Sequence, residues 1–86
     1  MTKSEPGWPF GNRPNARLAW SLWKQGSVRS CEINEHPLGY EVRLYDGVTF
    51  LSGFVFDTMA LAEAEATYWK NEYLSEGWLS RPPMPA

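Results

Sequence analysis

Cysteine and histidine carry much of the nucleophilic, metal-binding and proton-transfer chemistry of side chains, and this chain has one of each, Cys31 and His36. Brought together they would form a thiolate–imidazole pair. Nothing else in the sequence extends that pair into a catalytic or metal-binding set. A compact metal centre needs further His or Cys ligands, and a working active site needs a nucleophile, a base and a group that orients the base. The two glycine-bearing loops, GNRPNA and DGVTFLSG, lack the lysine and the spacing of a phosphate-cradling loop. Asp46 precedes Gly47 as a turn residue does, and Asp57 or Thr58 can cap the first free amides of a helix. No catalytic residue, cofactor or metal is therefore expected, and the chain is not read as an enzyme.

A second kind of chemistry is better represented. Aromatic residues make up 15% of the chain, with five tryptophans, and Trp, Tyr and Arg are the side chains that most often anchor protein interfaces. The stretch LAWSLWKQGSVRSCEI, residues 18–33, places Trp20 and Trp23 three positions apart. On a strand that odd spacing sends them to opposite faces, so one core cannot take both.

The elements that position these groups follow from periodicity. Ala16 to Lys24 reads as a strand, Gln25-Gly26 as a two-residue turn, and Ser27 to Glu35 as the returning strand. This register pairs Trp23 with Val28, Leu22 with Arg29, Trp20 with Cys31 and Leu18 with Ile33. Leu18, Trp20, Leu22, Cys31 and Ile33 then share the core face, where Cys31 acts as a small hydrophobe. Trp23 falls on the other face. His36 precedes Pro37 in a connection, a solvated turn position.

Tyr40 to Tyr45 is a third strand, with Val42 and Leu44 alternating against Glu41, Arg43 and Tyr45, and Asp46-Gly47 is a hairpin turn. The fourth strand, Val48 to Phe56, sets Leu51 and Val55 against Phe50, Phe54 and Phe56, with Gly53 as a place for a bulge. From Asp57 the period becomes helical. Met59, Ala62, Ala66, Trp69 and Tyr73 form one stripe, Leu61 and Tyr68 a second apolar edge, and Gly77 the stop. The expected fold is α+β, a four-stranded antiparallel meander with one C-terminal helix packed on one face, and Trp20, Cys31, Val42 and Trp69 share its core.

Eighty-six residues form one domain. With 43% hydrophobic and 21% charged residues, global disorder is not expected. Residues 1–15 carry prolines 6, 9 and 14 and glycines 7 and 11, and read as an irregular arm, residues 16–78 as the folded body, and residues 79–86 as a proline-rich tail. Both ends contain a PxxP, at Pro6 to Pro9 and Pro82 to Pro85, a spacing that seven clustered prolines produce by chance. One cysteine permits no intrachain disulfide. No run is long enough to span a membrane and the amino terminus lacks an apolar leader segment, so a cytoplasmic location without membrane association is expected. The net charge of -2 argues against a nucleic-acid footprint over the whole surface, although residues 1–45 hold six basic and four acidic side chains (+2) and residues 46–86 two and six (-4).

The run from Tyr40 to Trp69 resembles the three-strand-plus-helix DNA-binding domains of ethylene-response factors and of integrase arm-binding domains. The likeness is carried by Arg43, Gly47, Gly53, Phe56, Asp57, Thr58 and Ala62, about 30 residues of chain. It implies a sheet face that reads the major groove with arginine and tryptophan. Trp23, Arg43 and Arg17 would serve here, with Glu41 and Glu32 opposing phosphate on the same face. The body also resembles short bacterial proteins that pair a Trp-bearing hairpin with a helix ending in Gly-Trp, a likeness to which no function attaches. The expected function is a small non-catalytic interaction module that binds another protein or itself through an aromatic sheet face built from Trp23, Arg43, Tyr45 and Phe50, with duplex-DNA binding by that face as the alternative.

Overall fold

The computed structural model describes residues 17–81. The elements are β1 (Arg17–Lys24), β2 (Ser27–His36), β3 (Gly39–Asp46), β4 (Thr49–Phe56) and α1 (Met59–Ser75). The strands form one antiparallel sheet in chain order, and α1 crosses one of its faces. The α+β meander-plus-helix architecture is thus as expected. The arm at residues 1–15 and the tail beyond Arg81 lie outside the described residues.

Turn chemistry sets most of the register. Gln25 and Gly26 both have positive φ, 50° and 83°, the twist a two-residue hairpin turn requires. The closing pairs are then Lys24↔Ser27, Trp23↔Val28, Leu22↔Arg29 and Trp20↔Cys31. Gly39 has φ 141°, and a Cβ there would stand 2.1 Å from the Phe56 carbonyl oxygen, so the β2–β3 turn admits only glycine.

Two bulges correct the alternation expected of the strands. In β1, Leu18 pairs with Glu32 and Arg17 with Ile33, leaving Ala19 as the extra residue. An inserted residue exchanges the faces of everything beyond it. Leu18 therefore leaves the core and is 63% exposed, while Arg17 turns to the helix side and pairs with Glu63. In β4 the extra residue is Leu51, between the pairs Tyr45↔Phe50 and Leu44↔Ser52, and Gly53 pairs regularly with Arg43. Phe50 is thereby separated from Phe54 and Phe56, which stay on the helix side opposite Val42 and Tyr40.

The core comprises Trp20, Leu22, Cys31, Ile33, Val42 and Leu44 from the sheet with Ala62, Ala66 and Trp78, and Trp69 and Tyr73 pack against it partly buried. The two alanines let α1 approach closely enough for the Trp20 indole Nε1 to donate to the Ala66 carbonyl at 2.7 Å. Thr58 caps the helix by accepting from the Leu61 amide at 3.2 Å. The other end is a Schellman turn. Gly77, at φ 98°, donates to the Leu74 carbonyl and Trp78 to that of Tyr73. This turn drops Trp78 into the core beside Tyr73, with ring centroids 5.8 Å apart. It also delivers Leu79 to the outer edge of β1, where it exchanges two main-chain hydrogen bonds with Trp23 at 2.8 and 2.9 Å. Arg29, opposite Leu22, lies over both Tyr73 and Trp78 at 5.0 and 4.8 Å.

Candidate interaction face

The face that α1 does not cover is built by alternation in three rows across β2, β3 and β4. These are Ser30–Tyr45–Phe50, Glu32–Arg43–Gly53 and Asn34–Glu41–Val55. Gly53 matters because it has no side chain. A Cβ there would lie 2.8 Å from a Glu41 carboxylate oxygen and 3.3 Å from the Phe50 ring, so Glu41 and Phe50 close over the gap it leaves.

Arg43 is fixed within this frame. Its Nε donates to the Tyr45 hydroxyl at 2.9 Å, and Nη1 to the two carboxylate oxygens of Glu41 at 3.3 and 3.2 Å. Its guanidinium carbon stands 4.2 Å from the centre of the Phe50 ring and 5.8 Å from that of Tyr45. The two rings meet edge to face, with centroids 6.0 Å apart at 66°. Burial by itself lowers the guanidinium pKa, but the Tyr45 hydrogen bond and the Glu41 charge outweigh it and the net direction is upward. With side chains only 16% and 12% exposed, Arg43 and Glu41 are held more firmly than an ordinary surface ion pair. The result is a pre-positioned cation on an exposed aromatic ring, beside the exposed Val55.

Of the four residues expected to form the face, Arg43, Tyr45 and Phe50 come together and Trp23 does not. Trp23 shares the face but sits in the next row, with Val28, two strands from Tyr45, or about 10 Å at ordinary strand spacing. Its backbone is tied to Leu79. Arg17, expected beside Arg43, is on the helix side because of the Ala19 bulge, and the same bulge brings Leu18 onto this face. The contributions of Gly53 and Val55 were also not anticipated, because both depend on the bulge at Leu51. Asn34, on the same face, is 1% exposed, so exposure concentrates toward β4 rather than over the whole face. A fold-back of the arm through Trp8 and Phe10 lies outside the described residues.

The charge layout is uneven. Lys24 donates to the Glu76 carbonyl at the end of α1, Arg17 pairs with Glu63, and Arg29 stacks in the core, all on the helix side. Among the described strands, Arg43 is the basic residue left on the uncovered face, between Glu32 and Glu41.

The remaining reactive groups do not assemble. Cys31 is fully buried, and its thiol is pushed up to about 12 by burial, assisted by Glu32 and Glu65. His36 Nδ1 accepts from the Leu38 amide at 3.0 Å. Among the described residues no three His, Cys, Asp or Glu side chains are grouped to hold a metal ion, and no helix is long and apolar enough to cross a membrane. A cleft of about 350 Å³ between β1 and α1 is lined by Arg17, Trp20, Glu63, Thr67 and Lys70 among others, with Arg17 and Glu63 paired to each other.

No protein family matches the chain, and none of the curated proteins or solved structures is significantly similar to it.

Proposed function

We propose that this chain is a small non-catalytic interaction module that binds another protein, or itself, through the β3–β4 end of its uncovered sheet face. The observation that carries this is the Arg43 cluster, a guanidinium held by Tyr45 and Glu41 over the exposed ring of Phe50. Ordering a long charged side chain before contact reduces the entropy lost on binding. An aromatic–arginine anchor is also the composition that dominates interface energetics. Duplex-DNA binding has less support. It needs cations gathered on the face, and Arg17, Lys24 and Arg29 are on the other side while Glu41 neutralises Arg43.

The test is affinity capture with the full chain and three variants. Phe50→Ser and Arg43→Ala should lose a partner retained by the native chain, whereas Leu38→Ser, at the opposite end of the sheet, should keep it. Capture unchanged by Phe50→Ser and Arg43→Ala overturns the proposal. In parallel, random duplex DNA should show no binding even at low salt, and binding that falls steeply with salt would favour the alternative.

A further inference from the structure

We propose that β4 is an edge-pairing surface for a second copy of this chain, forming a two-fold dimer with a continuous eight-stranded sheet. This surface is the strand's open edge rather than the Arg43 face, so it stands or falls independently of the function proposed above.

Three observations support it. The first is the strand itself. β4, TFLSGFVF, has eight residues and no charge, and among the described residues β3 is its only pairing partner. Proteins ordinarily protect such edges with lysine, proline or a covering segment. Two uncharged strands can meet antiparallel with no like charges opposed.

The second is hydrogen-bond parity. The β3–β4 turn closes on the pair Asp46↔Thr49, and the alternation of bonded and non-bonded pairs from that turn, shifted by the Leu51 bulge, directs Ser52, Phe54 and Phe56 to β3. Gly53 and Val55 therefore turn their N–H and C=O groups to the free edge. They flank Phe54 symmetrically. A two-fold axis at Phe54 sets Gly53 of each copy against Val55 of the other, making roughly four main-chain hydrogen bonds. The two Phe54 rings then meet across the axis on the helix side, where each is 40% exposed before pairing.

The third is closure. Trp23, on the opposite edge, already spends its amide and carbonyl on Leu79. Among the described residues one edge is open and the other blocked, which gives a dimer rather than a filament.

Neighbouring apolar surface adds to the contact. Glu63, Thr67 and Lys70 line the cleft beside β1, so the opposite flank of α1, with exposed Leu61 and Tyr68, looks toward β4. Together with Leu51 and Phe54 this leaves on the order of 350 Å² of apolar surface per copy, taking about 150–250 Å² for a whole aromatic side chain. That is below the ~800 Å² per partner of a standard stable interface, so the dimer should be concentration-dependent.

Sedimentation of the full chain from about 1 µM to about 1 mM should show a monomer–dimer equilibrium with micromolar dissociation. Phe54→Lys and Phe54→Glu each place like charges at the axis and should weaken association about 100-fold or more, while mixing the two variants should restore a dimer. That rescue separates loss of pairing from loss of fold. Phe54→Cys in a Cys31→Ala background should form a disulfide-linked dimer on mild oxidation, because facing residues at a non-bonded antiparallel pair lie within disulfide reach. Val48→Cys, in the turn away from the axis, should not. A native chain that is monomeric throughout overturns the inference, as does a dimer indifferent to Phe54→Lys. A dimer that Arg43→Ala dissolves and Phe54→Lys leaves intact overturns it too, and assigns self-association to the uncovered face.

Discussion

Trp78 is the residue through which helix, tail and sheet depend on one another, and its removal has a magnitude that can be worked out. It is 9% exposed and packs on Tyr73, and Arg29 lies 4.8 Å from its ring. Trp78→Ala removes a buried aromatic, for which cores lose about 3–5 kcal/mol. It also leaves Arg29 with Tyr73 alone, a further loss of about 0.5–2 kcal/mol where the contact is desolvated. Folded chains of this length have about 4–13 kcal/mol in total, so the combined loss removes a large share of that stability. Trp78→Phe keeps a ring on Arg29 and should lose roughly half as much. The informative partner is Arg29→Met. The Arg29 Nε is buried without a hydrogen-bond acceptor, so an apolar side chain of similar length relieves that burial cost while giving up both ring contacts, and the net loss should stay below about 2 kcal/mol. Urea unfolding followed by tryptophan fluorescence reads all three, with an unchanged m-value showing that only stability moved. A loss below about 1 kcal/mol for Trp78→Ala would refute its place in the core, and a loss above about 3 kcal/mol for Arg29→Met would refute the reading of Arg29 as a tolerated cation.

Leu18→Ala should change stability by less than about 0.5 kcal/mol, which unfolding measurements would separate from the 2–5 kcal/mol expected had the strand run without its bulge. Cys31 should resist polar thiol reagents in the native state and react on denaturation. Its native thiol, raised to about 12 from 9.0, holds a proton that the unfolded chain releases. Its contribution is therefore complete below about pH 9 and is lost as pH climbs toward 12, so the stability gap between the native chain and Cys31→Ala should narrow over that range. Gly53→Ala should push the Glu41 carboxylate and Phe50 ring aside, since a Cβ would lie 2.8 and 3.3 Å from them. Because Glu41 can swing away, the stability loss should stay near 1 kcal/mol, while partner capture falls with the displaced Arg43 cluster.

The strand order, the hairpin register and both helix ends were legible because each rests on local chemistry. Gln25-Gly26 and Asp46-Gly47 specify turns, Thr58 and Gly77 specify caps, and Trp20↔Cys31 follows from the first turn. The bulges at Ala19 and Leu51 were not legible. A bulge is favoured by what the exchanged side chains find afterwards, and Arg17 finds Glu63 only once the helix is in place. That single shift misassigned both Leu18 and Arg17. The Arg43 cluster was half visible, because Arg43 and Tyr45 alternate on one strand whereas Phe50 reaches them through the bulge. The pairing of Arg29 with Leu22 already placed a cation on the core face, but its ring partners come from Tyr73 and from Trp78 beyond the helix stop, which strand periodicity does not address.

The central claim is that the Phe50–Arg43–Tyr45 cluster serves contact rather than folding, and Phe50→Ser tests it most directly when its unfolding free energy and its partner capture are measured on one preparation. A contact role predicts a stability loss below about 1 kcal/mol, as for an exposed residue, together with loss of the captured partner. A loss above about 3 kcal/mol with capture unchanged would make Phe50 a core residue and contradict the claim.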